Sequence, residues 1–389
     1  MAAIAQVIAS PILTNGRVGE RVERQIAAFL SCPNALLTNS WSNGAVTALR
    51  ALGVGPGDEV IVPALTFVAT ANVVEWVGAR PVFVDVAPDT LLMAPRHVAA
   101  ALTPRTRAVI PVHLYGQMCD VAGIREALHG RADIAIVEDA AHCFEGDFRG
   151  QRPGALSDVA VFSFYATKNV TCGEGGAIVT RHDDLAERMR RIRHQGMTAG
   201  AKDRFAGGAY NHWDMTELGL KSNLSDLLAA LLPAQIDAID TTHSRRRGLA
   251  QTYRDAFADG PLRLPSWEPD RRHAHHLFPI HTPPGTRDAA IHALEQAGVS
   301  VTVNYRPAPL LTYYRERYGF RPETFPVSWD WGAGTLSLPL FPGLTPDEQA
   351  WVIRAVRETV YPLIPRTPAL RPADVQESLP LDGGGLGWG

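Results

Sequence analysis

The chain has 389 residues, 46% apolar and 20% charged, with a formal net charge of -3. That length and apolar content suffice for a full core and for two domains, while the charge balance supplies no basic field for a nucleic-acid backbone or an anionic membrane, so neither partner is expected. Cys32, Cys119, Cys143 and Cys172 lack the paired spacing of a zinc site and the density of a disulfide scaffold, which fits a reducing cytoplasm.

The opening segment MAAIAQVIASPILTNG is apolar but has no basic n-region and no long hydrophobic run, so it reads as a short helix rather than a signal peptide. No stretch has the apolar length of a membrane span. From about Ala35 to Thr180, seven β-branched runs alternate with helical segments: ALLTN, EVIVPA, RPVFVDV, RAVIPVH, IAIVEDA, VAVFSF and GAIVT. Such alternation predicts a mostly parallel sheet covered on both faces, in a large domain over residues 1–240. Between the strands, SNGAVTALRALG has helical spacing and VGPGDE supplies a turn.

After Thr180 come a charged helix, DDLAERMRRIRHQG, an irregular insertion from Met197 to Leu220, and a helix over NLSDLLAALLPAQIDAI. The insertion is long enough to be functional or to cover a partner subunit. Residues 241–365 mix one long helix with strands at HHLFPIHT, VSVTVNY and TLSLPL, which predicts a smaller α+β domain. The Pro- and Gly-rich residues 366–389 read as a loosely draped tail.

Chemistry concentrates in VEDAAHCFEG and, some thirty residues on, VFSFYATKNVTCGEGGAIVT. Asp139 ends one apolar strand and Lys168 follows another, the end of an open α/β sheet where ligands bind. Alone, such a pair would read as a structural ion pair. Its surroundings match what pyridoxal phosphate requires: a lysine for the Schiff base, an acid opposite the pyridine nitrogen, hydroxyls and helix N-termini at the phosphate, and a flat group against the ring. Ser163 and the amides near Ser42 suit the phosphate, and Phe67 suits the ring, although Phe67 reads equally as a core aromatic at a helix start.

The collinear run NSWSNGA, ALGVGPGDEVIVPALTFVATAN, PVFVDV, VIPVHLYGQMCD, EDAAH and FSFYATKNVTCGEGGAIVT resembles the DegT/DnrJ/EryC1/StrS sugar aminotransferases from about Thr14 to Val360. The resemblance implies pyridoxal-phosphate fold type I, like aspartate aminotransferase: a mostly parallel seven-stranded sheet with a smaller C-terminal α+β domain. Further segments, KNVTCGEGG, HAHHLF and SLPLFPGLT among them, are most similar to members that aminate C4 of a UDP-linked 4-keto sugar, the aminoarabinose-forming type.

Carried over, the resemblance makes Lys168 the Schiff-base lysine and proton carrier, and Asp139 the carboxylate holding the pyridine nitrogen protonated. It sets His142 at the phenolic oxygen, Ser163, Trp41 and Ser42 at the phosphate, and Phe67 on the ring. Asn223 would reach the phosphate of a neighbouring subunit, implying a homodimer with shared sites. Tyr165, His276, Asn304 and Tyr305 would face the sugar, with His276 near the substrate entrance. L-glutamate is the implied donor, a nucleotide sugar the implied acceptor, and pyridoxamine phosphate the intermediate cofactor form. No metal is implied; His273 and His276 have helical metal spacing, but their segment reads as a strand without an adjoining acid.

Three departures stand out. Ser40-Trp41-Ser42 replaces the usual Ser-Gly-Thr, which sets an indole at the phosphate turn or toward substrate. Tyr165 stands where C4 enzymes often carry His, and Asn304-Tyr305-Arg306-Pro307 replaces HYxP. Arg188, Arg190, Arg191, Arg193 and Lys221 offer charge for a nucleotide diphosphate or are merely solvated. A C3-keto-sugar or cyclitol aminotransferase remains the nearest alternative, and a non-catalytic regulatory protein the alternative of another class.

Overall fold

The computed structural model describes residues 2–198 and 212–365. The proposed tail, and most of the irregular part of the insertion, lie outside the described residues. Seven strands form the main sheet: β1 (Asn34–Thr38), β2 (Glu59–Pro63), β3 (Arg80–Val84), β4 (Thr106–Val109), β5 (Ala135–Asp139), β7 (Val159–Ser163) and β8 (Gly176–Thr180), with the two-residue β6 (Asp147–Phe148) set apart. Their order is β1-β8-β7-β5-β4-β2-β3, and β8 alone runs against the other six. The seven runs expected from the sequence are these seven strands.

Both faces are apolar because alternate residues point to opposite sides. Val60, Val62, Val159, Val161 and Ile178 pack beneath the helices Trp41–Ala51, Ala69–Trp76 and Asp183–Ile192. On the other face, Ala160, Phe162, Ala177 and Val179 meet Val22, Ile26 and Leu30 of the helix Arg17–Leu30, while Ile61, Val109 and Ile136 pack with Val98, Val121 and Ile124. Each fully buried aliphatic or aromatic side chain contributes roughly 1.5–3 kcal/mol against exposure. A separate apolar cluster joins the long helix Ile239–Phe257 to β10 (Phe278–His281), β11 (Thr335–Leu338) and the helix Pro346–Ala355. A short ladder couples β6 to β9 (Arg271–Arg272).

Three segments differ from expectation. NLSDLLAALLPAQIDAI forms two short helices, Asp226–Ala229 and Pro233–Asp237, because Pro233 has no N–H to continue the first. HAHHLF joins a strand only at its last residue, Phe278, where β10 begins: His275 has a left-handed φ of 47°, and Ala274 and His276 donate to the carbonyls of Gly116 and Tyr115. In VSVTVNY only Thr302 pairs, with Ser337, before the chain turns toward the end of the main sheet.

Candidate active site

The site lies at the carboxyl ends of β5 and β7, where a cavity of about 450 Å³ opens. Asp139, the last residue of β5, is buried at 5% exposure. Its Oδ2 accepts from Thr70 Oγ at 2.9 Å, and its Oδ1 accepts from the Ala141 amide at 3.2 Å. Thr70 belongs to the helix that follows β2, and the sequence alone gave no reason to single it out. Burial pushes the Asp139 carboxyl up; Thr70, the Ala141 amide and Lys168 pull the other way. A buried carboxylate so placed favours a cationic N–H partner.

Lys168 sits on the hairpin joining β7 to the reversed β8. That hairpin is closed by Phe164 N to Gly175 O at 2.8 Å and Cys172 N to Phe164 O at 3.0 Å, and the Lys168 amide donates to Tyr165 O at 2.9 Å. Burial lowers the Lys168 ammonium to about 8, with Asp139 opposing. A sizeable fraction of neutral amine is therefore available near neutral pH, as Schiff-base formation needs.

The third component is an anion cup. Ser40 caps the helix Trp41–Ala51, its Oγ accepting from Asn43 N at 3.1 Å, so the amides of Trp41 and Ser42 head the helix beyond reach of any intrahelical carbonyl. Ser163 stands beside them at the end of β7; its Oγ accepts from the Tyr165 amide at 3.3 Å, leaving its own proton to donate. Gly176 makes room, since a Cβ there would fall 2.8 Å from Ser40 C and 2.9 Å from Trp41 N. The Trp41 indole is not in the cup. It is buried against the sheet, and its Nε1 donates to the Val161 carbonyl at 3.2 Å, so the glycine expected at this turn is replaced by a core side chain.

On the far side, His142 Nδ1 accepts from the Tyr115 amide at 3.2 Å, and Nε2 lies 3.1 Å from the Tyr305 hydroxyl. A ring that accepts at Nδ1 carries its proton on Nε2, so His142 donates to Tyr305, whose own proton is free to point elsewhere. Burial and the nearby Lys168 hold His142 well below the usual histidine range. Phe67, 55% exposed, lies 5.6 Å from the Tyr305 ring and lines the cavity with Tyr165, Asn304 and Tyr305.

Ten of the twelve residues expected at the site thus line one cavity: Trp41, Ser42, Phe67, Asp139, His142, Ser163, Tyr165, Lys168, Asn304 and Tyr305. His276 does not stand at an entrance; it is buried behind His142, ring centroids 4.3 Å apart. Asn223 lies in a second hollow with Gly16, Arg193 and Asp226, where its Nδ2 donates to Thr14 Oγ1 at 2.9 Å. Of the arginines, Arg188 and Arg191 pair with Glu217, and Arg193 pairs with Glu23, so their charges are engaged within the chain. Among the described residues no group of three or more His, Cys, Asp and Glu could hold a metal.

A lysine depressed by burial, a buried acid and an anion cup lining one cavity form a donor set that fits pyridoxal phosphate.

The family model for DegT/DnrJ/EryC1/StrS aminotransferases matches residues 1–357. Among solved structures, the chain is similar to DesV of S. venezuelae, solved with a ketimine intermediate, at 37% identity and TM-score 0.84 over 92% of this chain and 93% of that one. It is also similar to the aminotransferase TlmJ of Streptoalloteichus hindustanus, at 31% identity and TM-score 0.85 over 93% and 96%. Spr1654 of Streptococcus pneumoniae, in its PMP form, superposes at TM-score 0.88 with 27% identity over 93% and 96%. The chain belongs to the DegT/DnrJ/EryC1/StrS aminotransferase family; it is a transaminase, and pyridoxal phosphate is its cofactor.

Proposed function

We propose that this transaminase moves an amino group from L-glutamate to C4 of a nucleotide-linked 4-keto sugar, with Lys168 as the cofactor lysine. The observation that supports the lysine assignment is that Lys168, Asp139 and the Ser40-capped helix N-terminus line one cavity, with Asp139 close enough to act on the charge of Lys168. Sugar acceptors are supported by the solved relatives described as sugar aminotransferases, CalS13 of Micromonospora echinospora among them. The C4 position rests on the KNVTCGEGG turn, whose Glu174 and Gly175 line the cavity.

When bound, the cofactor supplies a carbonyl that condenses with amines and a protonated ring that accepts the electron pair left when the donor's α-carbon loses a proton. Asp139 keeps the ring nitrogen protonated by offering it a buried carboxylate held in place by Thr70 and Ala141. Lys168, as a neutral amine, would be the base in the cavity that carries the proton from the donor's α-carbon. His142 and Tyr305 present a hydrogen-bond donor at the cofactor's oxygen. Phe67 covers the ring face, and Tyr165 and Asn304 face the sugar.

The same reading divides the chain into a cofactor domain to residue 240 and a small domain over 241–365; one apolar cluster lies wholly in each, and two others join them through Ala308, Tyr314, Phe325 and Trp331. It makes the working unit a homodimer. Supporting this, Ile8, Ile12, Leu13, Leu218 and Leu231 are exposed, and Asn223 stands outside its own chain's cavity. A cytoplasmic setting is proposed; among the described residues no helix is long and apolar enough to cross a membrane.

The test is a two-stage assay. Glutamate alone should discharge the visible band of the bound cofactor, and a 4-keto nucleotide sugar should restore it, with the new amine at C4 by product NMR. Transfer only to 3-keto sugars would overturn the C4 position, and a Lys168→Ala protein that still forms the band would overturn the lysine assignment.

A further inference from the structure

Behind His142, away from the cavity, a second line of polar side chains starts at the neighbour of Lys168. Asn169 Nδ2 donates to Glu145 Oε1 at 2.5 Å and to the Ala274 carbonyl at 3.0 Å. With its amide protons engaged there, Oδ1 is the atom turned to His276, 3.0 Å from Nδ1. An amide oxygen only accepts, so the His276 proton must sit on Nδ1, leaving a lone pair on Nε2. Glu145 and His276 are buried, and the His276 ring is tilted 39° against that of His142.

We infer that Asn169, oriented by Glu145, is a positioning residue that holds His276 as the neutral Nδ1–H form and so keeps an extra cation away from His142 and Lys168. The groups whose charges bear on His276 are His142, Lys168 and Arg246, all cationic or able to become so, and with burial they hold it well below the ordinary range. Glu145 is separated from the ring by the Asn169 amide, which transmits orientation without transmitting charge. An aspartate at 169 would reverse this, because a carboxylate against Nδ1 stabilises the imidazolium.

Glu145 is suited to fixing the amide. Its Oε1 is an acceptor in either protonation state, its Oε2 is buried with no partner among the described residues, and burial pushes its carboxyl up while Arg246 and Arg272 oppose. Were the amide reversed, Nδ2 would face His276 and drive its proton to Nε2. The tautomer is thus a direct readout of the chain from Glu145.

The inference takes Lys168 as the cofactor lysine, as proposed above, but its first measurement does not depend on that assignment. Nitrogen and carbon NMR of histidine-labelled holoenzyme, with the His276 signals assigned by their loss in His276→Gln, should show an Nδ1–H ring that stays neutral between about pH 5.5 and 8. Asn169→Asp should raise the proton affinity of His276 at least about tenfold, read from the pH at which its ring signals move. An Nε2–H tautomer or a titrating His276 in the unaltered enzyme would overturn the inference without any variant. So would a folded Asn169→Asp protein in which the proton affinity of His276 does not move. A wrong lysine would instead show itself in Lys168→Ala.

Discussion

The buried ammonium of Lys168 makes a quantitative demand on cofactor capture. Its pKa is lowered to about 8 by burial, with Asp139 pulling it back up. At pH 7 about one-tenth of such an amine is neutral, against about one part in three thousand for a solvated lysine, so condensation with a carbonyl should run about 300-fold faster than for a surface lysine. Rapid mixing of cofactor-free protein with pyridoxal phosphate should give a rate that climbs about tenfold per pH unit and levels off near pH 8. Asp139→Asn removes the opposing anion, so the inflection should move below that of the parent enzyme and capture at pH 7 should quicken, even as the cofactor is held less well. The same depression acts on stability: a lysine whose folded pKa lies below its unfolded one destabilises the fold while protonated, here by about 3 kcal/mol below about pH 8, and that penalty fades as pH rises from about 8 to 10.5. Cofactor-free protein should therefore gain thermal stability across that window, and Lys168→Met should not. A capture rate still rising tenfold per unit beyond pH 9 would refute a buried, depressed lysine.

Thr70→Val removes a 2.9 Å hydrogen bond to Asp139; a bond to a charged group is worth about 1.5–3 kcal/mol, so kcat of the glutamate half-reaction should fall about tenfold to a hundredfold in single-turnover absorbance, and an unchanged kcat would free Thr70 of any role. Gly176→Val brings a Cβ into the backbone of Ser40 and Trp41, so cofactor affinity by fluorescence titration should weaken by about tenfold or more; parent-like affinity would remove the phosphate from this cup. Trp41→Ala should lower unfolding free energy in urea by about 3–5 kcal/mol with little change in substrate KM of the loaded enzyme. A large KM change with near-parent stability would place the indole at the substrate after all.

The strands were legible because both faces of the main sheet are buried and most strands are built on an apolar run, as in EVIVP and VAVFS. Lys168, Asp139 and Ser163 were legible because each lies within a few residues of such a run's end. What escaped depends on three-dimensional approach. Thr70 and Glu145 are ordinary helix-start and loop residues until Asp139 and Asn169 are brought against them. Trp41 looked like an obstruction because a sequence does not reveal that the first residue of a helix can turn its side chain into the sheet while its amide faces the ligand. His276 was placed at the entrance by resemblance alone, and the left-handed turn at His275 carries its ring behind His142 instead.

The reversed strand β8 has a further consequence. Because β7 and β8 form a hairpin, the amine of Lys168, the hydroxyl of Ser163 and the gap at Gly176 fall within one stretch of fourteen residues, positions 163–176. Those positions are tied together by local pairing rather than by the relative placement of distant elements. On the proposed reading, much of the grip on the cofactor therefore comes from one local unit, while Asn304 and Tyr305 bring the remaining wall from a distant part of the chain. In a reaction where two different substrates use the same chamber in turn, that separates what must stay put from what is free to change.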